Sequence, residues 1–100
     1  MAVIDDVLAR IDADRDAALE RLFAFLRIES ISTDPAYAGA CREAAEWLAQ
    51  DLRSIGFANA APHATSLHPV VSGRADGRSD RRVLFYGHYD VQPVDPLEEW

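Results

Sequence analysis

A histidine and an aspartate two residues apart, His88 and Asp90, are the side chains of this sequence whose types and spacing could do chemistry. They follow a continuous apolar run, Val83-Leu84-Phe85-Tyr86, and a glycine, Gly87. In an extended backbone, residues two apart project to the same side, so the imidazole and the carboxylate would stand together. Such a pair suits a metal site. The imidazole supplies a nitrogen ligand, and a neighbouring carboxylate orients the ring. One histidine and one aspartate do not complete the site, because catalytic zinc takes three protein ligands. A His-x-Asp triplet also arises by chance, and a histidine merely hydrogen-bonded at a strand end is an equal reading of these residues.

The elements that must position the pair are legible as changes of period. The run without alternation at Arg82 to Tyr86 predicts a strand buried on both faces, as in the middle of a parallel or mixed sheet. The carboxyl end of such a strand is where α/β folds place their chemistry. Upstream, Ile4, Leu8, Ile11, Ala18, Leu22 and Phe25 predict one helix over about 4–27, with Arg15 interrupting the stripe. Asp34-Pro35 predicts a turn or helix start. A second helix is expected over 38–55, with Cys41, Ala45, Leu48, Leu52 and Ile55 as its apolar stripe, Trp47 at the flank and Gly56 as its left-handed stop. Phe57–Ala61 and Pro69–Gly73 are weaker strand candidates, and "RADGRSDR" is a loop turning at Asp76-Gly77. His63 and His68 fall in polar connections and are expected to be exposed loop residues. Two helices and two weaker strands leave the sheet around Arg82–Tyr86 incomplete, with an open edge and a partly uncovered face.

Composition narrows the function classes. One hundred residues suffice for one modest domain. Ten basic residues against seventeen acidic ones give a net charge of −7, which disfavours a nucleic-acid partner. Arg74, Arg78, Arg81 and Arg82 are interleaved with Asp76 and Asp80, the pattern of a solvated turn. The single cysteine, Cys41, forms no internal disulfide and suits a small buried position on the second helix. The opening "MAVIDDVLARIDADRD" is acidic and lacks the apolar core of a signal peptide. No apolar stretch approaches the roughly 20 residues that span a bilayer. A cytoplasmic protein with no membrane partner is expected.

The stretch "LFYGHYDVQPVDPLEEW" closely resembles the first metal-binding motif of the co-catalytic zinc metallopeptidases. These include carnosine and nonspecific dipeptidases, acetylornithine deacetylase, succinyl-diaminopimelate desuccinylase and glutamate carboxypeptidases. "YGHYDVQPV" looks most like the dipeptidase branch, and "LRIESISTDPAY", "AAEWLAQDLRSIGF" and "HPVVSGR" agree in character and order. Glu29 stands where the family often has proline. The resemblance implies that residues 1–100 form the amino-terminal portion of an α/β zinc-peptidase catalytic domain: two helices, then about three strands of a central mixed sheet, with sheet and lid domain incomplete. It implies that His88 is a ligand to one of two zinc ions, manganese or cobalt being alternatives. Asp90 then supports the metal geometry as a catalytic-site residue without being a principal ligand. In the family, two zinc ions hold and acidify a bridging water, a glutamate takes its proton, and the hydroxide attacks an amide carbonyl. The bridging aspartate, that glutamate and the remaining ligands come later in the family pattern than Trp100. The implied substrates are dipeptides or related N-acyl amino acids, the implied assembly a homodimer at full length, and the 100 residues alone are expected to be inactive. The alternative is a non-catalytic acidic binding or subunit module derived from the same fold.

Overall fold

The computed structural model describes residues 3–100. Three helices come first: α1 (Val3–Ala13), α2 (Arg15–Leu26) and α3 (Ala38–Ser54). Two short strands follow, β1 (Ala61–His63) and β2 (Val70–Ser72), paired antiparallel with Pro62 opposite Val71. A 3-10 turn at Pro35–Tyr37 leads into α3, and another closes the chain at Leu97–Glu99. Helices plus a small antiparallel sheet are consistent with an α/β arrangement.

The expected helix over 4–27 is divided at Asp14, where φ −95° and ψ 5° depart from helical values. Asp14 also pairs with Arg10 one turn back, and a short polar side chain that bonds locally is a weak helix former. The backbone bonds Asp14 N to Arg10 O and Ala18 N to Asp14 O still cross the break, at 3.0 and 2.9 Å. Helix α3 matches its expected span to within a residue. Its entry is set as the Asp34-Pro35 pattern requires: Asp34 accepts from Ala36 N at 2.9 Å, and proline occupies the first turn. Gly56, at φ 114°, makes the left-handed exit.

The core is built from small side chains. Cys41, Ala44, Ala45 and Ala49 are buried along one face of α3, joined by Ala60, Ile28 and Ile31. Small residues let the hairpin lie close to the helix. Arg53 reaches over to donate to Ala60 O at 2.6 Å, and a Cβ at Gly73 would lie 3.0 Å from Ala60 Cβ and 3.2 Å from Phe57 Cβ. Ile55, expected on the buried stripe, lies past the helix end and is 58% exposed. Phe25 on α2 meets Trp47 on α3 with ring centroids 5.3 Å apart, and Arg21 faces Asp51 at 3.7 Å. These contacts join α2 to α3, although neither α1 nor α2 buries a residue fully.

Three expectations about the sheet are corrected. The central mixed sheet is replaced by the two-stranded hairpin, and the strand expected at Phe57–Ala61 begins only at Ala61, because Phe57 to Ala60 are taken up in the turn after α3. The strand expected at Arg82–Tyr86 is absent, and Val83, Leu84, Phe85 and Tyr86 are 77–92% exposed. The physical reason is pairing. A strand buried on both faces needs neighbours on both edges, and no backbone bond reaches Val83–Tyr86 among the described residues. The third extended piece is instead an isolated parallel bridge between Ile31 and Val91.

Because α3 is packed through alanines, enlarging one should be costly. Ala45→Leu is expected to lower stability by about 1–3 kcal/mol through overpacking, read from urea denaturation. An unchanged midpoint would contradict the close packing of this face of α3.

Candidate functional site

The His88–Asp90 pair sits where two distant segments meet. Residues 30–32, between α2 and the 3-10 turn, run parallel to residues 89–91. Val91 N donates to Ser30 O at 3.0 Å, and Ser30 Oγ donates to Tyr89 O at 2.8 Å. The Tyr89 hydroxyl then donates to Pro69 O at 2.7 Å, attaching the same stretch to the start of β2. This lacing fixes the backbone on either side of Asp90 without a regular sheet.

Within it, His88 Nδ1 lies 2.7 Å from Asp90 Oδ1 and 3.2 Å from the Asp90 carbonyl oxygen. The side-by-side placement expected from the two-residue spacing is therefore present, although the flanking strand is not. Both partners of Nδ1 can only accept, so that nitrogen carries the proton. In the neutral ring Nε2 is then left with its lone pair, and no hydrogen bond reaches it among the described residues. The second carboxylate oxygen, Asp90 Oδ2, accepts from Ser32 Oγ at 2.6 Å. The Ser32 hydroxyl and then the His88 ring hold the Asp90 carboxyl below its ordinary value of 3.8. Asp90 is thus a carboxylate at neutral pH, with both oxygens engaged.

Other residues of the site escaped sequence reasoning. His68, expected to be an exposed loop residue, is half-buried and its Nε2 donates to Ser32 O at 2.8 Å. Its loop is shaped by Thr65, whose hydroxyl donates to His68 O and accepts from Leu67 N. His63 lies on β1 and its Nε2 is 2.8 Å from Ser72 Oγ. Ser30 and Ser32 carried one available signal: they share the two-residue spacing of His88 and Asp90. Cys41 is fully buried, as expected, and burial pushes its thiol up, with the Asp90 charge adding to the effect.

A cleft of about 640 Å³ opens beside the pair, lined by the polar Ser32, His68, His88 and Asp90 and by the apolar Phe25 and Leu52 among others. That size lies within the usual range of small-molecule sites. Among the described residues no group of three His, Cys, Asp or Glu side chains could hold a metal ion. No helix among them is long and apolar enough to cross a membrane. The arrangement can therefore offer one bare imidazole nitrogen, oriented by a carboxylate, at the edge of a cleft.

The sign of a pH effect follows from Asp90. Its folded value lies below 3.8, so its contribution to stability is present above pH 3.8 and is lost as pH falls through the folded value. Asp90→Asn should therefore lower the urea midpoint more at pH 6 than at pH 3. Equal losses at the two pH values would show that the charge of Asp90 stabilises nothing.

Known proteins similar to the chain include the Cys-Gly metallodipeptidase DUG1 of Candida albicans, 30% identical over 82% of this chain and 20% of that protein. The Cys-Gly metallodipeptidase DUG1 of Saccharomyces cerevisiae is 28% identical over 97% of this chain and 23% of its own length. The corresponding protein of Schizosaccharomyces pombe is 27% identical, over 97% and 22%. The chain thus spans about a fifth of the length of the curated relatives it matches. No family model matches it, and no solved structure does. Taken together, the shared identity over most of this chain supports a metallopeptidase-like family.

Proposed function

We propose that these residues are the amino-terminal portion of the catalytic domain of a metal-dependent hydrolase, and that His88 is its first metal ligand. The observation that supports this most is the direction of the His88 ring, with Nδ1 turned to the Asp90 carboxylate and no hydrogen-bond partner at Nε2 among the described residues. A ligand histidine held through its other nitrogen by a carboxylate is the usual arrangement around zinc. The donor chemistry fits one corner of a site. The other corners must come from outside the described residues, since catalytic zinc takes three protein ligands. On this reading the bound metal, zinc in a pair or else manganese or cobalt, supplies a Lewis acid that activates water and polarises an amide carbonyl.

The work of this chain's own residues is orientation. Asp90 fixes the tautomer and plane of His88, and the cleft beside them offers apolar and polar walls to a small substrate. Dipeptides or related N-acyl amino acids are the proposed substrates. The dipeptidase reading draws support from the names of the similar proteins, Cys-Gly metallodipeptidases. A cytoplasmic homodimer is the assembly that accompanies it.

One observation favours a second reading, a non-catalytic acidic subunit or binding module. Val83–Tyr86 exposes apolar side chains and unpaired backbone, which another chain could cover. A monodisperse complex of the 100 residues that assembles without metal would favour this module over the hydrolase.

The hydrolase reading is tested in the complete enzyme that it requires. His88→Ala should remove bound zinc and lower dipeptide hydrolysis at least about hundredfold, and Asp90→Asn should cost about 10–100-fold. Unchanged metal content and activity in His88→Ala would reject the assignment. The 100 residues by themselves should show no hydrolysis; activity of the purified chain, abolished by a chelator, would overturn that expectation.

A further inference from the structure

We propose that Ser32 is a positioning residue for His88, acting through Asp90. The inference rests on the reading of His88 as a ligand and extends it to a residue 56 positions earlier in the chain. A carboxylate at the end of a short side chain turns about a broad, two-fold torsion, and the Asp90 side chain is 41% exposed. A bond from His88 alone leaves that carboxylate free to swing towards water. The Ser32 hydroxyl takes the opposite oxygen at 2.6 Å, so that Oδ1 can only face the ring. Serine has one hydroxyl proton and spends it here, so Ser32 acts as a clamp and holds no proton for a reacting group.

Ser32 is itself well anchored. Its carbonyl accepts from His68 at 2.8 Å, and its neighbour Ile31 bridges to Val91. Ser30 makes the comparison that separates two roles. Its hydroxyl ties the same two segments together by donating to Tyr89 O, yet among the described residues it makes no hydrogen bond to Asp90 or His88. If the serines only lace the segments, removing either should have the same consequence. If Ser32 sets the ring, its loss alone should change which nitrogen of His88 bears the proton.

The test is heteronuclear NMR of the metal-free, 15N-labelled protein near pH 8. The long-range couplings of the His88 ring report the ratio of the Nδ1–H to the Nε2–H form. Wild type, Ser32→Thr and Ser30→Ala should all favour Nδ1–H. Ser32→Ala should move the ratio about tenfold towards Nε2–H, the scale of one hydrogen bond to a charged group. Ser32→Cys, which keeps the volume but donates weakly, should move it the same way and serves if the alanine variant does not fold. An unchanged ratio in the Ser32 variants overturns the inference, and so does an equal change in Ser30→Ala. Because the readout needs no metal, it stands apart from the ligand assignment. Unaltered metal content in His88→Ala would reject the ligand and leave the clamp.

Discussion

The structure depends on the lacing between residues 30–32 and 89–91. From Arg74 onward the chain has no helix or strand beyond the Leu97–Glu99 turn and one bridge residue, Val91. What places His88 and Asp90 against the helical body is a small set of polar bonds: Val91 N to Ser30 O, Ser30 Oγ to Tyr89 O, Ser32 Oγ to Asp90, and Tyr89 Oη to Pro69 O. Ser30 is nearly inaccessible and satisfied, and no buried side-chain polar atom among the described residues lacks a partner. A net hydrogen bond contributes only about 0.5–1.5 kcal/mol, but leaving a buried partner unsatisfied costs more. That asymmetry makes the registration of the two segments specific.

Helix α3 gives this lacing a fixed reference. Its buried face is Cys41, Ala44, Ala45 and Ala49, which lets the hairpin and the segment at Ile28–Ile31 approach closely. Leu48 and Leu52, half-buried on the adjoining face, form part of the cleft wall. The same helix therefore serves packing with its small residues and the cleft with its larger ones. Helix α1 is different: Val3, Ile4, Val7, Leu8 and Ile11 lie on one stripe and remain exposed. The amphipathic pattern reports a face suited to burial, and the described residues do not bury it.

How far the fold could be read from sequence depended on the range of the forces involved. The start, length and end of α3 were legible because Asp34-Pro35, the alanine-rich stripe and Gly56 act within a few residues. The break at Asp14 was visible only as the interruption at Arg15. Val83–Tyr86 was misread because an apolar run records what a segment would bury, and pairing depends on distant residues that its own composition does not name. The contact of His88 with Asp90 followed from local geometry. Ser32 and His68 did not, since their bonds span 58 and 36 residues, and a lone serine or histidine has no local signature; the bond from Tyr89 to Pro69 likewise spans 20 residues.

The site that results is one oriented imidazole, held through Asp90 and Ser32, beside a cleft. Similarity to fungal metallodipeptidases gives that geometry a chemical setting, and the hydrogen bonds give it a mechanism of orientation. The most direct test of the proposed ligand role is a crystal structure of the full-length protein grown with metal, any bound ion being located by its anomalous scattering. The account requires a metal about 2.0–2.1 Å from His88 Nε2, with Nδ1 still facing Asp90. A metal bound through Nδ1, or bound with no contact to His88, would contradict it.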